Sequence, residues 1–301
     1  MALCVSEQEV RSLLSMPAAI EAVEEALGLL AEGRATNHPR RRHRAPGGLL
    51  HVMDAAMPTR GVMGLKAYTT FRDANRFHVM LYSTETGALL ALIEADWLGR
   101  IRTGAATGVA VRRLARPDAA VVGILGSGRQ ARTQVEAVRA VRHVREVRAW
   151  SRTRENLRAF CDELGARPVE SPRAAVEGAD IVVTATPARE PILQGAWTAP
   201  GQCVVAMGSN HASRRELDEA AVRRADLIAT DDIDQARIES GELIHAGVDW
   251  TRVLPLARAR RADDRQVTLF KSNGIALEDV AAARVVWEAA AAKGLGRPLP
   301  L

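Results

Sequence analysis

Residues 121–134, VVGILGSGRQARTQ, constrain the fold more than any other stretch of this chain. An apolar, β-branched run from Val121 to Leu125 gives way to Gly126-Ser127-Gly128 and then to helical spacing. This is G-x-G-x-x-A, with Ala131 in the last place, set between a strand and a helix. In that setting the first glycine permits a tight turn and the second admits a pyrophosphate to the backbone. A small third residue lets helix and strand pack closely. The unpaired N–H groups and the positive dipole end of the helix then attract phosphate. Ser127, Arg129 and Gln130 complete this phosphate-binding candidate.

The continuation agrees with a dinucleotide-binding unit. Residues 143–150 read as the next strand, followed by Ser151-Arg152-Thr153. An acid at this point would bind the ribose 2′-hydroxyl of NAD, whereas an arginine accommodates the 2′-phosphate of NADP. No acid is present, so Arg152, with Ser151 and Thr153, favours NADP(H), with NAD(H) as the second choice. Further strands are expected at 179–186, 203–208 and 225–230. Strands alternating with helical stretches imply an α/β fold, a Rossmann-type doubly wound parallel sheet. Thr184, Ala185 and Thr186 end one strand, and Met207, Gly208 and Ser209 end the next. Ligands gather at the carboxyl ends of such strands, so these six residues are cofactor-side candidates.

The flanking segments read differently. Ser6-x-x-Glu9 is a capping box opening a helical stretch that runs to about Glu32, with a second start near Ser15 before Pro17. Strand-like runs follow at 49–53, 62–71, 77–84 and 88–95, with Glu85-Thr86-Gly87 as a hairpin turn. A helix is expected over 102–115, then a boundary at Arg116-Pro117-Asp118. The expected division is an N-terminal part over 1–117, a dinucleotide-binding domain over 118–265, and a C-terminal return over 266–301. The two chain ends together form an α+β domain.

Composition limits the function. A net charge of +5 and a pI near 9.6 would suit nucleic acid, but the basic residues are dispersed and aromatics are only 4%. Stacking platforms are scarce, so nucleic acid is not the expected partner, and an anionic cofactor with a carboxylate substrate accounts for the charge. No apolar run is long enough to span a membrane, and the N-terminus is polar at once. Cys4, Cys161 and Cys203 lack C-x-x-C spacing and read as reduced thiols of a cytoplasmic protein. No cluster has metal-ligand spacing. Of 41 basic residues only Lys66, Lys271 and Lys293 are lysines. Where arginine serves for every ordinary positive charge, a lysine hints at a need for a compact or titratable amine.

Several segments, in order, resemble the ornithine cyclodeaminase/μ-crystallin family. They are Met63-Gly64-Leu65-Lys66, Arg102-Thr103-Gly104-Ala105-Ala106, the GSGRQA loop, Arg215-Glu216-Leu217-Asp218, Glu239-Ser240-Gly241-Glu242, and Leu269-Phe270-Lys271-Ser272 through Gly274-Ile275-Ala276-Leu277-Glu278-Asp279. The resemblance implies NAD(P)-dependent chemistry at a nitrogen-bearing carbon next to a carboxylate. Activities in the family include cyclodeamination of ornithine or lysine, amino-acid dehydrogenation and reduction of cyclic ketimines. It also implies a substrate and dimerisation domain beside the Rossmann domain, a small amino- or imino-acid substrate, and a homodimer.

The resemblance places Lys66 at a carboxylate-binding position beside the reacting carbon. A desolvated ammonium there can also exchange a proton. Arg102, expected at the start of its helix, offers a bidentate fork, with Thr103 beside it on the cofactor side. Arg41 best matches a third carboxylate ligand among Arg40, Arg42 and Arg44. Ser272, Asn273 and Gly274 are expected near the nicotinamide or its ribose. The chain departs from the family at Asn210, where amino-acid-deaminating relatives carry an aspartate. An amide cannot titrate in this range. Removing a primary amine needs a base, while reducing a preformed C=N bond needs a hydride, an acid and an anchor. The substitution points to a ketimine reductase, with Lys66 or His211 as proton donor. Two alternatives stand beside it: an amino-acid dehydrogenase or cyclodeaminase, and a cofactor-binding protein without catalysis.

Overall fold

A computed structural model describes residues 2–72 and 74–300. The chain divides into two compact units, one made of 1–105 with 275–301 and the other of 106–274.

The first unit opens with strand β1 (Ala2–Val5), helix α1 (Glu7–Leu13) and helix α2 (Met16–Ala31). The capping box is present, with Ser6 and Glu9 bonded reciprocally, and Ser15 caps α2 ahead of Pro17. Strands β2 (Thr36–Asn37), β3 (Arg41–Ala45), β4 (Gly48–Met57), β5 (Val62–Phe71), β6 (Asn75–Ser83) and β7 (Leu89–Glu94) follow. Helix α3 (Asp96–Leu114) carries the chain out of this unit.

The second unit contains β8 (Val121–Leu125), α4 (Arg129–Val141), β9 (Glu146–Trp150), α5 (Arg154–Leu164), β10 (Arg167–Pro168), α6 (Pro172–Val176) and β11 (Ile181–Thr184). It continues with β12 (Cys203–Ala206), α7 (Glu219–Arg223), β13 (Leu227–Thr230), α8 (Ile233–Glu239), α9 (Gly241–Ala246), β14 (Val253–Pro255) and β15 (Thr268–Lys271). Helix α10 (Ala276–Lys293) and strand β16 (Arg297–Leu299) return to the first unit.

The first unit's sheet runs β16-β1-β7-β6-β5-β4-β2, with β3 also pairing β4. Its central strands are antiparallel, and β4, β5 and β6 place Met53, Lys66 and Val79 side by side. Alternation sends Met53, Ala55 and Met57 of β4 and Val62, Gly64 and Lys66 of β5 to one face, where they are buried. Helix α10 packs on this face, with Val280 close to Gly64. The other face leaves Leu50, Met63 and Phe71 exposed.

The second unit's sheet is parallel throughout, in the order β10-β9-β8-β11-β12-β15-β13-β14. Order reverses between β8 and β11, the switch point of a doubly wound sheet. One face rests on Leu125, Val182, Val204, Leu217, Leu243 and Leu269. Strands buried on both faces read as unbroken apolar runs, which is why this sheet was legible in the sequence.

Two expectations need correction here. The units part at 105/106 and 274/275, not at 117/118 and 265/266. Strand β15 lies inside the parallel sheet between β12 and β13, so the return begins after Gly274. Helix α3 starts at Asp96, so Arg102 lies nearly two turns inside it and gains nothing from a helix N-terminus. The preceding Asp96-Trp97-Leu98 supplies an acidic first turn and apolar positions that extend the helix backwards.

Candidate active site

The second unit presents its strand ends as a dinucleotide cradle. Gly126 has φ +119°, and a Cβ there would strike the Ala185 carbonyl, so β8 can turn this sharply only on glycine. Nothing lies within 4 Å of where a Cβ of Gly128 would stand. The N-terminus of α4 is therefore open to an approaching phosphate. Gly128 is the N-cap of α4 and supplies no side-chain acceptor, so the first N–H groups are available. Gln130 adds a buried Oε1 without a hydrogen-bond partner among the described residues. Ala131 is fully buried under the strand, and Ser127 is buried in the turn. Arg129 is exposed at the helix start. Arg132, which sequence reading passed over, donates to the carbonyls of Ser127 (2.9 Å) and Gly128 (3.2 Å) and so fixes the loop from behind. These residues fit a dinucleotide pyrophosphate.

Ser151, Arg152 and Thr153 follow β9 directly, and Arg152 and Thr153 are exposed. Arg152 makes no hydrogen bond or ion pair among the described residues. Across the switch point, Thr184 to Thr186 extend from β11, Met207 to Ser209 from β12, and Ser272 to Gly274 from β15. Asp231 gathers the last loop by accepting from the N–H groups of Asn273 and Gly274, both at 2.8 Å. Asp232 caps α8. Asn210 is half-buried in the loop after β12, while His211 is exposed. Ser213 donates its N–H to His211 Nδ1 at 3.3 Å, so the neutral ring carries its proton on Nε2.

The first unit holds a buried charge cluster. Lys66 Nζ donates to Asp279 Oδ1 at 2.8 Å, and Arg102 Nε donates to the same oxygen at 2.9 Å. Arg102 Nη1 reaches Glu278 Oε2 at 2.7 Å. The remaining oxygen of Asp279, Oδ2, has no hydrogen-bond partner among the described residues. Burial pulls the Lys66 ammonium down to about 8, against the support of Asp279 and with the added repulsion of Arg102 and Arg40. Burial also opposes the charge of Arg102, but Asp279 and Glu278 outweigh it and hold that guanidinium firmly protonated. Thr103, buried one residue on, bonds its hydroxyl to the Gly99 carbonyl within α3 (2.7 Å).

The third arginine of this cluster is Arg40, not Arg41. Arg40 is buried and its Nε meets Met53 Sδ at 3.3 Å, on the face that carries Lys66. Arg41 lies opposite Val52, is exposed, and pairs with Asp54 at 3.1 Å; Asp54 also bonds His38. Adjacent residues of an extended chain point to opposite faces, and the pairing with β4 selects which one turns inward. Arg40 thus joins Lys66 and Arg102 on the buried side, where its charge adds to that of Arg102 in opposing the Lys66 ammonium.

Aromatic rings border the cluster. His51, Tyr68 and Phe77 lie opposite one another on β4, β5 and β6. The His51 and Tyr68 rings stack at 4.1 Å, and Tyr68 and Phe77 at 5.2 Å. Lys66 Nζ is 5.6 Å and 5.7 Å from the Tyr68 and Phe77 centroids. Burial, with Arg42 and Arg40 nearby, lowers His51 to about 4, so it adds no charge at neutral pH. Sequence reading missed this row because three rings on separate strands become neighbours only through register.

No group of three or more metal-ligating side chains converges among the described residues. No helix among them is long and apolar enough to cross a membrane.

The chain belongs to the ornithine cyclodeaminase/mu-crystallin family, which it matches over residues 2–294. It is 33% identical over 315 residues to the alanine dehydrogenase of Archaeoglobus fulgidus, covering 98% of this chain and 97% of that one. Identity to the ketimine reductase mu-crystallin of Mus musculus is 33% over 261 residues, covering 83% and 82%. Its backbone is similar to the solved structure of Thermococcus litoralis Delta(1)-pyrroline-2-carboxylate reductase in complex with NADH and L-proline. The TM-score there is 0.93 at 32% identity, covering 99% of this chain and 100% of the other.

Proposed function

We propose that this chain is an NAD(P)H-dependent reductase of an α-imino acid, a cyclic ketimine of the pyrroline- or piperideine-2-carboxylate type. The observation that carries the reading is the buried cluster in which Lys66 and Arg102 share one oxygen of Asp279, with Arg40 near enough to oppose the Lys66 charge. A substrate carboxylate is recognised there by the Arg102 fork and the Lys66 ammonium. Lys66, lowered to about 8, is charged at neutral pH yet parts with a proton readily, so its Nζ protonates the imine nitrogen. Asp279, sharing one oxygen between Lys66 and Arg102, keeps the ammonium aimed and charged. The nicotinamide cofactor, when bound, supplies the hydride. Asn210 orients without exchanging a proton. His211, exposed and engaged by Ser213, is the weaker candidate for the donor.

Arg152 selects NADPH through the 2′-phosphate, since no acid stands beside it to bind a 2′-hydroxyl. The sheet face bearing Leu50, Met63 and Phe71 is the surface through which two copies of the chain form a homodimer.

A second reading, oxidation of an amino acid by NAD(P)⁺, is favoured by the likeness to an alanine dehydrogenase. Nicotinamide absorbance separates the two. Oxidation of NADPH with five- or six-membered cyclic ketimine carboxylates supports the reductase. Silence on that panel, with NAD(P)⁺ reduction and ammonia release from an amino acid, overturns it.

A further inference from the structure

Segments Arg215–Asp218 and Glu239–Glu242, together with Lys271, have no part in the chemistry above, yet they converge under the ends of β11, β12 and β15. Glu216 is fully buried. Its Oε1 accepts from the Thr186 N–H and the Thr186 hydroxyl, both at 2.7 Å. Its Oε2 accepts from the Thr184 hydroxyl at 2.8 Å and the Gly208 N–H at 2.7 Å. The Glu216 N–H donates to Glu242 Oε1 at 3.0 Å. Glu242 Oε2 lies 3.2 Å from Lys271 Nζ, an ion pair without hydrogen-bond alignment, and Lys271 donates to the Ser209 carbonyl at 2.5 Å. One carboxylate thus ties β11 to β12, and through Glu242 and Lys271 the tie reaches β15.

We propose that Glu216 is a positioning residue for the nicotinamide half of the dinucleotide. The proposal rests on the dinucleotide-binding part of the reading above. In a doubly wound sheet the dinucleotide crosses the switch point, with one half over each set of strand ends. The Gly126–Ala131 loop and Ser151–Thr153 lie on the β8–β9 side. Thr184–Thr186, Gly208–Ser209 and Ser272–Gly274 lie on the β11–β12–β15 side, and Glu216 bonds only to that side. Of the four contacts two come from backbone N–H groups, one on each oxygen, so both oxygens of Glu216 must accept. Burial and the neighbouring Glu242 push the Glu216 carboxyl up, while the threonine hydroxyls and Lys271 oppose that shift. Gly208 completes the fit, because a Cβ there would collide with Thr186 and with the Glu216 carboxylate. Glutamine cannot replace this group, since its NH₂ would face a backbone N–H and leave that donor unpaired.

The test compares binding of a dinucleotide with binding of the same molecule lacking nicotinamide. Full-length wild type and Glu216→Gln are titrated calorimetrically with NADPH and 2′-phospho-ADP-ribose, and with NADH and ADP-ribose. We expect Glu216→Gln to weaken dinucleotide binding by about tenfold or more while the fragments stay within about twofold. Should Glu216→Gln not fold, Thr184→Val, which removes one donor and keeps the strand's shape, gives the same selectivity at about threefold. Equal loss of dinucleotide and fragment, or a folded Thr184→Val with unchanged binding, overturns the proposal. Wild type that binds none of these ligands overturns the dinucleotide reading itself.

Discussion

Two of the three lysines are buried, one in each unit, and the contrast between them separates chemistry from architecture. Lys271 is fully enclosed, with a carboxylate and a backbone carbonyl both in contact. Lys66 has one carboxylate oxygen, and it shares that oxygen with Arg102. In the first, a carboxylate and a carbonyl of the protein enclose the ammonium. The second sets two cations on a single carboxylate oxygen, with aromatic rings alongside. A buried charge that is fully partnered holds a structure in place, whereas one left incompletely partnered is ready for a ligand.

The contrast breaks most sharply on exchanging each lysine for methionine. Lys271→Met leaves Glu242 and Glu216 buried together without a cation. The expected result is a stability loss of about 3–5 kcal/mol, read by urea unfolding. Lys66→Met keeps a long apolar side chain in a cluster where Arg102 still faces both acids. It is expected to fold and bind NAD(P)H, with kcat/KM for the imine reduced by about a thousandfold or more. Equal stability losses in the two variants, or turnover surviving in Lys66→Met, would erase the distinction.

Asp279→Asn sharpens it. Reduction requires the protonated amine, so wild-type kcat/KM is expected to fall as pH rises through about 8. Removing the anion that supports the ammonium moves this alkaline limb to lower pH, and activity recovers on acidification. A merely structural role would lower the whole profile without moving its limb.

Register supplies a smaller contrast within the first unit. Arg40→Ala is expected to raise KM for the imino acid by about tenfold, whereas Arg41→Ala, on the outer face, stays within about twofold. The reverse ranking in steady-state kinetics would place the wrong arginine in the cluster. Mildest for overall activity is Arg152→Ala, expected to weaken NADPH by about tenfold and leave NADH unchanged. Equal loss of both would remove the 2′-phosphate contact.

What could be read without coordinates was local. The glycine turn at Gly126–Gly128, the Ser6–Glu9 capping box and the apolar runs of the parallel strands declare themselves within about ten residues each, because turns, caps and buried strands depend on near neighbours. Lys66 and Arg102 stood out through their rarity or their resemblance to a family, and the structure sets them on one carboxylate. Other features lay out of reach. β1 and β16 are short strands, with too few residues for a pattern to emerge. The VTLFK segment was legible as a strand, but its insertion between β12 and β13 was not. The helical pattern becomes plain only at Arg102, because the six residues before it carry a weak signal.

The sequence by itself determined that a phosphate-binding turn joins a strand to a helix in a doubly wound sheet, and its resemblance to a family singled out one lysine and one arginine. Tertiary structure alone decided which arginine joins them. Either phase of a two-residue alternation satisfies the string Arg40-Arg41-Arg42, and only pairing with β4 chooses between them. It also decided that Asp279, 213 positions from Lys66, is the shared anion, and that Glu216 is the knot beneath three strand ends. Partners so distant along the chain meet only when the sheets and α10 have assembled. Charge complementarity between them is therefore a property of the fold, not of any segment.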